Sequence, residues 1–465
     1  MQSKYIVRQG NPRLLLIFAG WGMDWRPFRN LQKHGYDIMV VWDYRSLDIN
    51  WHPVISAYAE ICLLAWSMGV FAASLTAHQL LPRITKRIAV NGTLTPIHDR
   101  LGIPEAIFDG TLRGLSPTSL RKFYRRMCLT AQQFAAFMAD KPKRDIDELI
   151  DELHSIETLS ILHTEQITQW DLAVISRHDA VFSAVNQAEA WRGLAPVQMM
   201  DAAHLPDFAM LISRLFIDKQ LVSERFEHAA STYSEQATVQ DAAAARLLEY
   251  ARQCDVTELT GSVLEIGSGR GTLTRRYAGM LRPDTRLTLW DIAPGAPADA
   301  PEGSIFECCD AETAIRQLPD NSRSFILSAN TVQWFNSPAS FLRECQRVLT
   351  PGGYIIISTY AHGNLPELYG LLGNGLHLPT CKAWEAMTAA HLDVLKCAES
   401  INTIYFETPR MLLDHLRETG VNAVDYGRNP VALARHILQH LRPADDGTYP
   451  LSYRPVYIVA RKSLD

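Results

Sequence analysis

The chain has 465 residues, of which 47% are hydrophobic and 20% are charged. This length exceeds the usual size of one hydrophobic core, so we expect two domains, and the composition excludes fibrous and disordered classes. The formal net charge of −5 argues against nucleic acid as the main partner. The polar N-terminus lacks a signal sequence and no apolar run reaches the ~20 residues of a membrane span, which predicts a cytoplasmic protein without membrane contact.

Apolar runs alternate with helical stretches through the first half of the chain. Buried strands are predicted for four segments: RLLLIFAGWG, DIMVVWDYR, the run that ends at Trp66, and KRIAVNGTL. Strands that alternate with helices indicate a parallel sheet with crossover helices. The first half is therefore predicted to be an α/β domain.

The segment LAWSMGV places Ser67 between a predicted strand and a predicted helix. An α/β-hydrolase holds its nucleophilic serine at such a turn, between small residues two positions before and two positions after it. Here the first of these residues is Ala65 in place of the usual glycine. The segment alone is equally compatible with a serine that caps an ordinary helix.

An acid and a histidine follow in the order that this fold requires. Asp179 comes directly after the apolar run Leu172 to Ser176, and His204 comes after PVQMMDAA. We therefore predict the triad Ser67, Asp179 and His204, with His178 as a rival base and Asp99 as the reserve acid.

Two backbone N–H groups are predicted to form the oxyanion hole. One belongs to Met68, directly after the serine, and the other to Trp21 in the glycine-rich segment AGWGMDW after an early strand. The alternative for Trp21 is a purely structural aromatic residue.

A basic stretch occupies residues 112–127 and contains no acid. On a helix, Arg121 lies four residues from Arg125 and Lys122 four from Arg126, so like charges form adjacent rows. The stretch is either a solvated helix face or a surface for an acidic partner. Its basic residues are Arg113, Arg121, Lys122, Arg125 and Arg126.

The eight cysteines show no C-x-x-C pair and no histidines at zinc spacing, so we predict reduced thiols and no metal site. They are Cys62, Cys128, Cys254, Cys308, Cys309, Cys345, Cys381 and Cys397.

The second half contains GSVLEIGSGRG, a strand followed by a glycine-rich turn and a helix. An acid followed by G-x-G-x-G resembles the nucleotide loop of class I S-adenosylmethionine methyltransferases, which have a Rossmann-like fold. Later strands end at Asp291 and before Asp310, where this class contacts the ribose hydroxyls and the adenine amine. The resemblance implies S-adenosyl-L-methionine as cofactor, bound by Glu265, Gly267, Gly269, Gly271, Asp291 and Asp310.

More specific resemblances cover nearly the whole chain. The second half resembles BioC, the malonyl-acyl carrier protein O-methyltransferases of biotin synthesis, in the segments RFEHAASTYSEQATVQ, LEIGSGRG, SANTVQWF and YRPVYIVARK. The first half resembles BioG, the pimeloyl-acyl carrier protein methyl ester esterases, in the segments FAGWG, AWSMG, SRHDAVFSAVNQ and DAAHLP. We predict a hydrolase domain with a helical lid over residues 1–215 and a methyltransferase domain over residues 216–465. Tyr233 is expected to close over the cofactor, with ordinary packing as the alternative.

A fusion of these two families implies a bifunctional enzyme of biotin synthesis. One half would methylate the free carboxyl of malonyl-acyl carrier protein, and the other would hydrolyse the pimeloyl methyl ester. The basic stretch would then dock the acidic carrier protein. Two alternatives stay open: a general carboxylesterase fused to a small-molecule methyltransferase, or one half that only binds carrier protein.

Overall fold

The computed structural model describes residues 1–162, 167–229, 238–372, 378–419 and 430–464. Contacts within the chain divide it into two compact units, Met1–Leu211 and Ile212–Asp465. The division falls inside the helix Phe208–Leu215, at whose end the sequence places the domain boundary. Within the described ranges, no helix is long and apolar enough to cross a bilayer.

The N-terminal unit alternates strands and helices. Its strands are β1 (Gln2–Val7), β2 (Arg13–Phe18), β3 (Tyr36–Trp42), β4 (Glu60–Trp66), β5 (Ile84–Val90), β6 (Leu172–His178) and β7 (Val197–Ala203). Its helices are α1 (His52–Ala57), α2 (Met68–Thr76), α3 (Glu105–Arg113), α4 (Pro117–Arg126), α5 (Ala131–Ala139), α6 (Ile146–Leu162), α7 (Ala184–Ala190) and α8 (Phe208–Leu215). Short 3₁₀ helices cover Arg26–Phe28 and Ala77–Leu80.

The seven described strands of this unit form one sheet in the order β1-β3-β2-β4-β5-β6-β7. All neighbours are parallel except β1, which pairs antiparallel with β3. β3 and β4 are buried along their whole length, as expected for central strands covered on both faces. Parallel strands end at the same edge of a sheet, so the segments after β2, β4, β6 and β7 meet there.

Helices α3 to α6 lie between β5 and β6 in the chain. The basic stretch is divided between α3 and α4, so Arg113 is on a different helix from the other four basic residues. The break has a local cause: the Ser116 side chain accepts a hydrogen bond from the Ser119 N–H, and Pro117 occupies the first helical turn. This is a capping box, which starts a new helix.

The C-terminal unit has a second set of alternating elements. Its strands are β8 (Ser262–Ile266), β9 (Arg286–Asp291), β10 (Ile305–Cys308), β11 (Arg323–Ala329), β12 (Leu349–Tyr360), β13 (Asp393–Glu399), β14 (Asn402–Phe406), β15 (Tyr449–Tyr453) and β16 (Pro455–Arg461). Its helices are α9 (Lys219–Ala229), α10 (Thr238–Gln253), α11 (Thr272–Tyr277), α12 (Ala311–Ala314), α13 (Pro338–Val348), α14 (Pro366–Leu372), α15 (Cys381–Ala389), α16 (Pro409–Glu418) and α17 (Pro430–His440). Its 3₁₀ helices are Ala278–Met280, Ile315–Gln317 and Val332–Trp334.

The main sheet of this unit has the order β10-β9-β8-β11-β12-β16-β13, and β14 pairs with β15 separately. β8 to β12 are parallel, whereas β16 runs antiparallel between β12 and β13. The strand order reverses between β8 and β11, the position at which doubly wound sheets bind ligands beyond the strand ends. The predicted Rossmann-like fold of this domain is confirmed.

Candidate functional site

Ser67 occupies a strained turn between β4 and α2. Its φ and ψ angles are 60° and −130°, a backbone conformation that residues other than glycine rarely adopt. A Cβ atom at Gly69 would lie 2.5 Å from the carbonyl oxygens of Phe18 and Ala19, so only glycine fits there. Ala65 is instead a fully buried residue of β4.

The structure brings Ser67, His204 and Asp179 into one hydrogen-bonded chain. The Ser67 Oγ lies 3.0 Å from His204 Nε2, and His204 Nδ1 lies 2.9 Å from Asp179 Oδ2. His204 is only 1% exposed. With Nδ1–H donated to the carboxylate, Nε2 is the ring nitrogen that can accept a proton from the serine hydroxyl.

Residues that sequence reasoning missed hold these three hydrogen-bonded side chains in place. Gln187 donates its Nε2 to Asp179 Oδ2 over 3.0 Å, and the N–H groups of Val181 and Phe182 donate to Asp179 Oδ1. The Phe182 ring stacks on the His204 ring at a centroid distance of 6.1 Å. Gln187 lies one turn into the helix after the acid, and this spacing was the available signal for it.

The backbone beside His204 is fixed by a buried asparagine. Asn91 Nδ2 donates to the carbonyl oxygens of Ala203 and His204, and Trp66 Nε1 also donates to the His204 carbonyl over 2.8 Å. Asn91 has a positive φ of 48°. No sequence motif marks it, because its partners at residues 203 and 204 lie more than 100 positions away in the chain.

The two alternatives for the triad face elsewhere. His178 is exposed and its Nε2 lies 2.8 Å from Asp201 Oδ1. Asp99 accepts a hydrogen bond from the Glu105 N–H at the surface. Neither side chain joins the hydrogen-bonded chain of Ser67.

A cavity of about 470 Å³, including its open part, adjoins the serine. Trp21 and Met68 line it together with Ser67. Among the described residues, no acceptor is found for the backbone N–H of either Trp21 or Met68. The remaining lining residues are Ile103, Ile107, Phe108, Thr111, Phe123, Arg126, Leu153 and Val181. The wall is mainly apolar, and two free N–H donors lie beside the nucleophile candidate.

The basic residues of α4 are exposed at the surface beside this cavity. The guanidinium groups of Arg121 and Arg125 lie 5.3 and 6.0 Å from the centre of the Phe134 ring. Arg126 lines the cavity itself. Arg113, on α3, pairs with Asp109. Phe123 lines the cavity, whereas Phe134 and Phe137 are absent from its wall in the described part of the chain.

A second cavity, about 1060 Å³ including its open part, lies in the C-terminal unit. Its wall contains Gly267, Gly269, Asp291 and Asp310 of the predicted cofactor site. Asp291 accepts from the Gly269 N–H through Oδ2 and from the Ala293 N–H through Oδ1, each over 2.8 Å. Burial raises the pKa of Asp291.

Glu265 and Gly271 support this wall without lining it. Glu265 is 1% exposed, and its Oε2 accepts from Thr274 Oγ1 and Tyr277 OH. Its Oε1 has no partner among the described residues, and burial raises its pKa to about 7. Gly271 starts α11 with a φ of 81°. Tyr233 lies outside the described residues.

Lys219 is a further residue of this cavity that sequence reasoning missed. Its Nζ lies 3.2 Å from Asp310 Oδ1 and 3.0 Å from Glu312 Oε2. Glu312 in turn accepts from the N–H groups of Asn336 and Ser337. Lys219 therefore fixes the start of α9 against the cavity. No local pattern predicts this contact, because Asp310 is 91 positions away.

Comparisons with known proteins cover both units. Residues 1–213 match the family "Pimeloyl-ACP methyl esterase BioG", and residues 264–357 match the family "Methyltransferase domain". A malonyl-[acyl-carrier protein] O-methyltransferase of Bacteroides fragilis is 33% identical over 467 residues, 96% of this chain and 92% of that protein. Another, of Bacteroides helcogenes, is 29% identical over 53% of this chain and 99% of its own length.

Among solved structures, the crystal structure of BioG from Haemophilus influenzae is similar to the N-terminal part. It is 33% identical, with a TM-score of 0.41, and the match covers 44% of this chain and 94% of that chain.

Proposed function

We propose, from the premise that this chain belongs to the malonyl-[acyl-carrier protein] O-methyltransferase family and begins with a BioG domain, that it catalyses two reactions of biotin synthesis. The C-terminal domain methylates the free carboxyl of malonyl-acyl carrier protein. The N-terminal domain hydrolyses the methyl ester of pimeloyl-acyl carrier protein. The resemblance to BioG and BioC is confirmed.

The cofactor is S-adenosyl-L-methionine, as predicted, and the second cavity fits it. Gly267 has a φ of 74°, and a Cβ there would lie 1.9 Å from Thr331 Oγ1, so only glycine fits at this position of the loop. Among the buried polar atoms without a partner in the described part of the chain, Ser268 Oγ, Asn330 Oδ1 and Trp334 Nε1 belong to residues that line this cavity, and Glu265 Oε1 belongs to a residue that supports its wall. A ligand with amino, carboxylate and hydroxyl groups would supply those partners.

The methyltransferase residues bind and position. Gly267 and Gly269 let the backbone approach the cofactor. Asp291 has lone pairs left to accept hydrogen bonds from the ribose hydroxyls, and Asp310 contacts the adenine amine. Bound cofactor supplies an electrophilic methyl group. The malonyl carboxylate is already ionised at neutral pH and needs no catalytic base. The protein therefore contributes orientation and exclusion of water.

In the hydrolase domain, His204 Nε2 takes the proton of Ser67 as Oγ attacks the ester carbonyl. The N–H groups of Trp21 and Met68 donate to the oxyanion. His204 then protonates the leaving methanol, and water attacks the acyl-enzyme by the same route. Asp179 keeps the imidazole in the required tautomer. The hydrogen-bonded chain from Ser67 to Asp179 carries this proposal.

This proposal makes the N-terminal domain an α/β-hydrolase. Ser67 at a strained turn after a central strand, with the acid after β6 and the histidine after β7, supports it. Helices α3 to α6 form the lid, since α3, α4 and α6 supply Ile107, Phe123 and Leu153 to the cavity wall.

The exposed basic residues of α4 dock the carrier protein. Lys122 and Arg126 make no ion pair with a described residue, so their charges are available to an acidic partner. Because Arg126 also lines the Ser67 cavity, a carrier bound at α4 would deliver its acyl chain to the serine.

The docking surface is tested by Arg121→Glu with Arg125→Glu. We expect KM for the carrier-bound ester to rise about tenfold or more at low salt, with less change at high salt, because the attraction is electrostatic. Hydrolysis of a short soluble ester provides the control and should keep its KM. An unchanged KM for the carrier-bound ester would disprove docking at α4.

The two activities are tested with two variants of the full chain. Ser67→Ala should lower ester hydrolysis by at least about 10³-fold and leave methylation unchanged. Asp291→Ala should abolish methylation and leave hydrolysis unchanged. Equal hydrolysis of a short ester and the carrier-bound ester would favour a general carboxylesterase, and absence of hydrolysis in the wild type would favour a carrier-binding module.

A further inference from the structure

We propose that Glu152, a buried residue of α6, is the positioning residue of the oxyanion hole: it holds the loop that carries the Trp21 N–H. This role rests on the proposed hydrolase activity. The sequence offers no sign of it, because Glu152 lies in an acidic helix about 130 positions from the loop.

The contacts of Glu152 tie the lid to the loop after β2. Glu152 is 0% exposed. Its Oε2 accepts from the Gly22 N–H over 3.3 Å and from Arg144 Nη1 over 2.6 Å, and its Oε1 accepts from the Tyr44 N–H over 2.9 Å. One carboxylate therefore joins the loop, the segment after β3 and a guanidinium.

The loop itself is a tight turn whose orientation depends on these contacts. The Met23 N–H donates to the Gly20 carbonyl over 3.3 Å, and Gly22 at the third position has a φ of 74°. This resembles a type II turn, which needs glycine at that position. The Gly22 N–H belongs to the peptide unit directly after Trp21. Holding that N–H fixes the rotation of the turn, and with it the direction of the Trp21 N–H.

Other tethers agree with this assignment. Trp21 Nε1 donates to the Leu149 carbonyl, one turn before Glu152 on the same helix, over 3.0 Å. Tyr44 OH donates to the Ala19 carbonyl over 2.6 Å. The loop is thus attached to α6 and to the segment after β3. Glu152, on α6, is hydrogen-bonded to the loop and to that segment.

A carboxylate is needed here because it accepts from three donors. Burial raises the pKa of Glu152, whereas the Arg144 guanidinium opposes that shift. Arg144 Nη2 also pairs with Asp43 Oδ1 over 3.1 Å. A glutamine would have one acceptor oxygen, and its NH₂ group would face a donor in place of accepting from it. Glu152→Gln should therefore release one of the three contacts with little change of volume.

The test compares Glu152→Gln with Glu148→Gln in the full chain. Glu148 is one turn earlier on α6 and also pairs with Arg144, but it is partly exposed, and no contact of it with the loop is found in the described part of the chain. For Glu152→Gln we expect kcat to fall about 100-fold, comparable to loss of an oxyanion donor, with KM changed less than about threefold. Glu148→Gln should stay within about twofold of wild type.

Two further readouts separate positioning from folding. The inhibition constant of an alkyl boronic acid, which forms a tetrahedral adduct with Ser67, should rise by the same factor as kcat falls. Binding of the carrier-bound ester in a Ser67→Ala background should be unaffected by Glu152→Gln. Should Glu152→Gln fail to fold, Tyr44→Phe removes a different tether of the loop and should also lower kcat at constant KM.

The outcomes distinguish this role from the hydrolase proposal. A wild type without esterase activity, or a fully active Ser67→Ala variant, would overturn the hydrolase. An active wild type in which Glu152→Gln keeps its kcat, or loses kcat and ester binding in parallel, would overturn only the role of Glu152.

Discussion

Glu265 is a buried acid whose ionisation is opposed by its surroundings. Burial raises its pKa to about 7, from an ordinary value of 4.5, even though Tyr277 and Thr274 donate to the carboxylate. In the absence of cofactor, the folded domain therefore binds a proton at this site more tightly than the unfolded chain does. Its stability should fall as the pH rises from about 4.5 to about 7. A bound cationic amino group would reverse this balance.

This balance predicts a pH-dependent affinity for the cofactor. Binding of S-adenosylhomocysteine should tighten by about tenfold as the pH rises from about 6 to about 7.5, because the proposed role of Glu265 is to pair, when ionised, with the amino group of the ligand. Titration calorimetry measures this directly. Glu265→Gln should bind more weakly at both pH values and lose the dependence. The same slope in the variant would show that another group titrates.

The turn between β4 and α2 depends on close packing of backbone at particular glycines. A Cβ at Gly69 would clash with the carbonyl oxygens after β2, and one at Gly92 would lie 2.2 Å from the Ser67 carbonyl oxygen. Ala65 lies inside β4, paired with Phe18 and Ala89 in the neighbouring strands. The alanine that departs from the usual motif is therefore a residue of the strand, and we infer that the turn does not require glycine there.

Two substitutions test this account of the turn. Ala65→Gly should change kcat/KM for ester hydrolysis less than about threefold and cost about 1 kcal/mol of stability, through the lost methyl group and added backbone freedom. Gly69→Ala should abolish hydrolysis, since backbone cannot move aside. Thermal unfolding and esterase assays measure both effects. A large activity gain in Ala65→Gly would contradict the account.

The proposed function gives one chain two opposed activities, which requires a means of discrimination. An esterase that accepted the malonyl methyl ester would undo the methyl transfer. The cavity beside Ser67 is mainly apolar, so a longer acyl chain buries more methylene groups, each worth ~0.8 kcal/mol. We infer that chain length decides which ester is cut.

A series of carrier-bound methyl esters tests this discrimination. We expect kcat/KM for hydrolysis to rise at least about 100-fold from the malonyl to the pimeloyl ester, because four additional methylenes are buried. The Phe123→Ala variant should reduce the ratio by removing part of the apolar wall. Equal kcat/KM values for the two esters would contradict selection by chain length.

Local sequence was sufficient for the elements that depend on neighbouring residues. Apolar runs predict the buried strands, and the glycine loop predicts the turn into α11, because backbone sterics act over a few residues. The order of Ser67, Asp179 and His204 along strand ends predicted which side chains meet, since parallel strands end at one edge. The start of α4 is local as well, because the capping box at Ser116 begins that helix.

What the sequence determined by itself is therefore the two domains, the family of each, the cofactor and the residues at strand ends. What only the tertiary structure decided is the support of those residues. Lys219 between two carboxylates and Glu152 under the proposed oxyanion loop are polar residues on helices with no distinctive local spacing, and the only local signal for Gln187 behind Asp179 is its place one turn into the next helix. Each acquires its partners when distant segments pack and water is excluded, because a buried charge or amide must then find donors and acceptors within the fold.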